Sequence, residues 1–126
     1  MIIFRYIALL AIVILTACAK EVAPYEITLD ETTPKGTVTA GGFVVIKLKG
    51  NATTGYVWAV TKDGTPCLRF KKEQYDGTDP KLIGSGGITS FIFDATKRGT
   101  VKVEFKYGRS WELSSEKTAE FEIRVL

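Results

Sequence analysis

There is no histidine anywhere in the 126 residues. That absence removes the imidazole base on which Ser-His and Cys-His catalysis depends, and the usual nitrogen ligand of a transition metal. Cysteine is nearly as scarce, with Cys18 and Cys67 alone. Cys67 sits in Pro66-Cys67-Leu68-Arg69-Phe70, where a buried apolar thiol is expected, since a reactive one needs a neighbouring base. Charge of one sign is not in excess either: 17 basic residues face 14 acidic ones, a net +3, and they are scattered rather than clustered. That balance argues against a nucleic-acid partner. The acids Asp76, Asp79, Glu112 and Glu116 fall in loop-like segments, but nothing in their spacing links them as a carboxylate pair. No stretch keeps helical spacing for long, and there is no internal repeat or low-complexity tract. The chain is therefore read as a single all-β domain that binds rather than catalyses and needs no metal or cofactor.

Long apolar runs are also missing, with one exception. Residues 7–15 are unbroken Ile, Ala, Leu and Val, preceded by the lone charge of Arg5 and followed by Leu15-Thr16-Ala17-Cys18. The run is shorter than the roughly 20 apolar residues a membrane-spanning helix needs, and small residues follow it where a signal peptide is cut. An uncleaved membrane helix with an incidental Cys is the competing reading. Leu-Thr-Ala-Cys resembles a bacterial lipobox. That resemblance implies removal of residues 1–17, lipidation of Cys18 as the first mature residue, and a short tether over residues 18–24. Several acyl chains would give a stable anchor where one would not. By similarity to Gram-negative lipoproteins, Ala19 rather than Asp after the lipidated Cys implies the outer membrane, where the source has one. Loss of residues 1–17 removes Arg5 and no acid, so 16 basic residues remain against 14 acids, a net +2. It also leaves Cys67 without an intrachain disulfide partner.

From Tyr25 onward the hydrophobic period is two. Tyr25, Ile27 and Leu29 alternate with Glu26, Thr28 and Asp30; residues 37–40 extend this first region; and Val44, Ile46 and Leu48 share one face of a strand over 43–49. Tyr56, Trp58 and Val60 form one face of a strand over 56–61. Lys62-Asp63-Gly64-Thr65-Pro66 reads as a turn. A fourth strand over 67–73 fades into a polar segment at 74–81, and another strand covers 88–94. Val101, Val103, Phe105 and Tyr107 mark the clearest strand, over 100–107, and Ala119, Phe121, Ile123 and Val125 close the domain on its inward face. About seven short strands in roughly 100 residues, divided by Gly-containing turns, predict an immunoglobulin-like β-sandwich of seven to eight antiparallel strands. A β-barrel fits the same periodicity.

Three polar loops fall between these strands. The first is Asn51-Ala52-Thr53-Thr54-Gly55-Tyr56, the second Gly84-Ser85-Gly86-Gly87, the third Arg109-Ser110-Trp111-Glu112. A phosphate cradle is rejected for the second, because a strand rather than a helix follows the glycines. Asn51-Ala52-Thr53 also fits a glycosylation sequon, which in a bacterial lipoprotein is accidental. Trp111, among loop residues and beside an Arg, has the composition of an exposed interface anchor.

Together the three loops resemble the signature of chagasin-type inhibitors of papain-like cysteine peptidases: Asn-Pro-Thr-Thr-Gly-aromatic, then Gly-x-Gly-Gly, then Arg-Pro-Trp. The resemblance covers residues 25–126. It implies the sandwich over the barrel, with the loops gathered at one end, and a monomeric inhibitor of a papain-like cysteine peptidase. Carried over residue by residue, it implies a peptidase-binding surface of Asn51, Thr53, Thr54, Gly55, Tyr56, Gly84, Ser85, Gly86, Gly87, Arg109 and Trp111. Thr53 and Thr54 would enter the cleft beside the catalytic Cys, presenting backbone rather than a scissile bond. The glycine loop would run along one side, and Arg109 and Trp111 would brace the other. Ala52 and Ser110 depart from the pattern, which has Pro at both places. A structural or adhesive envelope module is the alternative from a different class, and a periplasmic ligand-binding domain a third.

Overall fold

The structure is a computed structural model, and it describes residues 23–50, 55–77, 86–109, 111 and 117–126. Among the described residues, eight strands form two four-stranded sheets. One sheet holds β1 (Glu26–Leu29), β3 (Phe43–Gly50), β6 (Gly87–Ala95) and β5 (Leu68–Gly77), in the order β1-β3-β6-β5. The other holds β2 (Lys35–Val38), β8 (Lys117–Val125), β7 (Gly99–Arg109) and β4 (Tyr56–Asp63), in the order β2-β8-β7-β4. Two sheets facing one another over a shared core make the expected sandwich, not a barrel.

The core follows from the alternation. Val44, Ile46 and Leu48 from β3 and Phe91 and Phe93 from β6 are buried against Val103 and Phe105 from β7 and Phe121, Ile123 and Val125 from β8. Phe105 sits at its centre, with ring centroids 4.7 Å from Phe91, 5.8 Å from Phe121 and 6.4 Å from Phe93. Cys67 is buried as expected, its Sγ 3.7 Å from the Arg98 carbonyl. On the outer face of the second sheet, charges pair across strands: Lys102 with Glu120 at 3.0 Å, Lys62 with Glu104 at 3.4 Å and Lys35 with Glu122 at 3.4 Å. The hydrogen bond and charge of Lys102 hold the Glu120 carboxyl below its usual range. Such exposed pairs set register more than stability.

The structure differs from the sequence reading in four places. The strands are not all antiparallel: β1 pairs parallel with β3, and β2 parallel with β8. The chain switches sheets at the Asp30–Thr33 turn, so neither short strand is joined to its neighbour by a hairpin that would force opposite directions. In that turn Asp30 accepts from the Thr32 hydroxyl and from the amides of Thr32 and Thr33, which lowers its pKa. The second strand occupies Lys35–Val38 rather than 37–40. β5 runs to Gly77 instead of fading after Glu73, because a register shift between Phe70 and Lys72 breaks the period of two. Past that bulge the inward series continues as Glu73, Tyr75 and Gly77, opposite Phe91, Thr89 and Gly87. Finally, β4 includes Lys62 and Asp63, which composition had placed in a turn.

Candidate functional site

Register places the three loops together. Gly50, the last residue of β3, and Gly77, the last of β5, both lie opposite Gly87, the first of β6. In the facing sheet, Tyr56 at the start of β4 lies opposite Arg109 at the end of β7, and Tyr107 lies opposite Lys117 at the start of β8. All three connections therefore leave from one pole of the sandwich. Asn51, Ala52, Thr53, Thr54, Gly84, Ser85, Ser110 and Glu112 lie outside the described residues. The predicted site residues that are described are Gly55, Tyr56, Gly86, Gly87, Arg109 and Trp111, and the structure brings them to this pole. Three of these are strand residues: Tyr56 opens β4, Gly87 opens β6 and Arg109 ends β7. The ladders run to the last residues before the turns, which shortens the loops and stiffens their roots.

Beneath the loops, aromatic rings and cations alternate. The Arg109 guanidinium lies 4.3 Å from the Tyr56 ring centroid and 5.7 Å from that of Trp111. Tyr56 stacks on Tyr107 at 5.4 Å, and Tyr107 meets Trp58 at 5.0 Å. The Lys117 ammonium stands 5.2 Å from both Trp58 and Tyr107, and is also 3.9 Å from Glu31. Trp58 is buried, and its Nε1 donates to the Lys49 carbonyl at 3.0 Å. This series ties the ends of β3, β4, β7 and β8 into one platform, through ring packing and cation–π contacts each worth on the order of 1 kcal/mol. Sequence reasoning did not single out Trp58, Tyr107 or Lys117 for this role. The available signal was the position of two inward aromatics within two residues of a loop, which resembles ordinary core patterning.

Two glycines serve as seats for aromatic rings. Gly55 has φ of +83°, a left-handed value that side chains with a Cβ avoid, and a Cβ there would come within 2.6 Å of Cη2 of Trp111. The Trp111 indole thus rests on the backbone of the first loop while 69 % of the residue remains accessible. Gly87 seats a ring that the sequence reading missed. A Cβ at Gly87 would overlap the Tyr75 hydroxyl and ring, and would stand 2.7 Å from the Asp76 carbonyl. The first and third loops are therefore in direct contact, and the root of the second is covered by Tyr75 from β5.

The described residues of this pole offer aromatic surface, a guanidinium and backbone, and no nucleophile with a base. Among the described residues, no group of three acids, cysteines or histidines could hold a metal ion. The arrangement suits insertion into a complementary groove rather than turnover.

Comparison with known proteins agrees with this geometry. Chagasin from Trypanosoma cruzi is 34% identical over 91 residues, which cover 69% of this chain and 83% of chagasin. Among solved structures, the cysteine protease inhibitor EhICP2 from Entamoeba histolytica superposes with a TM-score of 0.70 at 19% identity, covering 80% of this chain and 96% of that one. Amebosin superposes with a TM-score of 0.65 at 28% identity, covering 82% of this chain and all of its own. The sequence profile described as "Chagasin family peptidase inhibitor I42" matches residues 37–125, and with that match the chain belongs to the chagasin family of peptidase inhibitors.

Proposed function

We propose that the protein inhibits papain-like cysteine peptidases reversibly, by pressing the three-loop pole into the active-site cleft. The observation that carries this reading is the seating of Trp111 on Gly55, which makes two of the three signature loops one preformed surface. Thr53 and Thr54 would enter the cleft, where their β-branched side chains limit the freedom of that segment. Arg109 and Trp111 brace one flank, and residues 84–87 the other. PbICP-C, which superposes with a TM-score of 0.54 at 20% identity over 85% of this chain and 96% of its own, was solved in complex with falcipain-2. A cleft-filling contact of this kind buries about 1,200–2,000 Å². Because a preformed Gly55–Trp111 contact lowers the ordering cost, nanomolar affinity, about −12 kcal/mol, is expected.

The test is titration of papain and a cathepsin L-like enzyme with the domain. One-to-one, reversible inhibition is expected. No inhibition at micromolar concentration across several such enzymes would leave the structural or adhesive envelope module as the better reading.

The cellular setting belongs to the same proposal. Leu15-Thr16-Ala17-Cys18 supports cleavage before Cys18 and lipidation of its thiol, placing the domain in the cell envelope as a membrane-anchored monomer. Cys18→Ser is expected to release the protein from the membrane fraction or leave it as unprocessed precursor. Unchanged mature size and unchanged partitioning would refute the anchor.

A further inference from the structure

The two ends of the sandwich have different neighbours. Every signature loop leaves from one pole, whereas the N-terminal segment enters at the other. The Thr39 amide donates to the Pro24 carbonyl at 2.8 Å, the Phe43 amide to the Tyr25 carbonyl at 2.7 Å, and the Thr39 hydroxyl to the Ala23 carbonyl at 2.5 Å. These partners lie beside the Thr39–Gly42 corner, whose amides reach Leu126 at 2.7 Å (from Ala40) and Ala95 at 2.8 Å (from Gly41). Leu126 follows β8 and Ala95 ends β6, and both of these strands start at the loop pole. Ala23, Pro24 and Tyr25 are therefore fixed at the far end of the molecule from Gly55, Gly87 and Trp111.

We infer that the chain is held by its tether with the inhibitory pole pointing away from the membrane, so that anchoring and peptidase binding are compatible in one molecule. The inference rests on the lipid-anchor reading, and a comparison of lengths decides it. From Cys18 to Ala23 are five residue steps, a reach of at most about 18 Å. From Gly99 to Arg109 along β7 are ten steps, about 33 Å at the usual rise of a strand. The tether is too short to run the length of the sandwich, so the loops cannot be turned down onto the lipid while Ala23 keeps its hydrogen bonds. The target peptidase is then one that approaches from the solvent side: soluble, or borne on a facing surface. A peptidase whose cleft is held close to the same membrane would be out of reach.

The experiment attaches the mature chain, residues 18–126, to vesicles at two different points. In one preparation the Cys18 thiol is coupled to a maleimide phospholipid. In the other a Cys18→Ser/Gly77→Cys variant is coupled at the loop pole, where an added Cβ at position 77 meets nothing within 4 Å; Cys67 is buried and does not compete. Coupled through Cys18, the protein should inhibit soluble papain within about threefold of the uncoupled protein, and coupled at position 77 it should lose tenfold or more, about 1.4 kcal/mol. Loss of inhibition on coupling at Cys18, or equal inhibition from both preparations, would overturn the orientation. Vesicles containing brominated phospholipid give a readout that needs no peptidase, because both tryptophans, Trp58 and Trp111, lie at the loop pole. Quenching is expected only with coupling at position 77, and quenching through the Cys18 attachment would overturn the inference. Should the uncoupled protein inhibit nothing, the inhibitory reading fails while the quenching still decides orientation. Failure of the native chain to float with membranes would remove the lipid anchor and, with it, the membrane orientation, while leaving the inhibitory reading untouched.

Discussion

Truncation of Trp111 to Ala is expected to weaken peptidase inhibition about thirtyfold, some 2 kcal/mol, with the sandwich still folded. Trp111 is 69 % exposed and is not a member of the buried core, so its removal opens no internal cavity. What it does remove is a large aromatic contact and the surface on which the first loop rests. The Gly55 backbone would lose its cover, and the Arg109 guanidinium an aromatic neighbour. Gly55→Ala approaches the same contact from the other side. An alanine there must adopt a φ near +83° and would push against Cη2 of Trp111 at 2.6 Å, so it too should weaken inhibition. Because both changes act on one contact, their effects should not fully add: the double variant keeps the strain of φ near +83° but no longer meets the indole, so it should lose less than the sum of the two. Inhibition constants for the two single variants and the double variant, with thermal melts of each, make the comparison. Full additivity would mean that Trp111 touches the peptidase without positioning the first loop. A large fall in melting temperature for Trp111→Ala would place the ring among the structural residues instead.

How far the sequence could be read depends on what each feature requires. Strands such as β7 and β8 were legible because a sandwich buries one face of each strand, and Val103, Phe105, Tyr107, Phe121, Ile123 and Val125 carry that alternation without a break. β5 was only half legible, since it is an edge strand with a bulge. Its outward positions are polar, and the register shift at Phe70 and Lys72 moves Tyr75 onto the inward face at a spacing no fixed period anticipates. Parallel pairing of β1 and β2 could not be read at all, because both pairings join residues distant in sequence and no turn chemistry marks direction. At the site, the motifs named Gly55, Gly87, Arg109 and Trp111, but not the reason for their residue types. That reason is three-dimensional: Gly55 and Gly87 are where Trp111 and Tyr75 need room. Likewise, Lys117 looked like one of many scattered cations until the fold placed it over Trp58 and Tyr107.

The largest loss of stability is expected from Phe105→Ala, at about 3–5 kcal/mol. Phe105 is wholly inaccessible and belongs to the middle strand pair of the second sheet, yet its ring meets Phe91 and Phe93 from the first sheet as well as Phe121 beside it. Its removal would leave a cavity bounded by three other phenylalanines and the β7 backbone. Both sheets are held by ladder hydrogen bonds, so they cannot close on the void without breaking register, and the cost should fall toward the upper end of the range. For a domain of this size each kcal/mol moves the melting temperature by roughly 4–8 °C, so a fall of at least about 12 °C is expected. Typical domains have only about 5–15 kcal/mol in hand, and on that scale partial unfolding of the variant at 37 °C is expected. The contrast with Trp111 is the informative part. Well below its own melting temperature, the Phe105→Ala variant should inhibit with a nearly unchanged constant per folded molecule, because Phe105 lies between the sheets rather than at the loop pole. Calorimetry or denaturant titration gives the first quantity, and active-site titration of the peptidase at low temperature the second. If inhibition per folded molecule instead fell as steeply as for Trp111→Ala, the platform of Tyr56, Tyr107 and Trp58 would have to be mechanically continuous with the phenylalanine core. Loop geometry would then be set by the packing of the whole sandwich and not by the contacts at its pole.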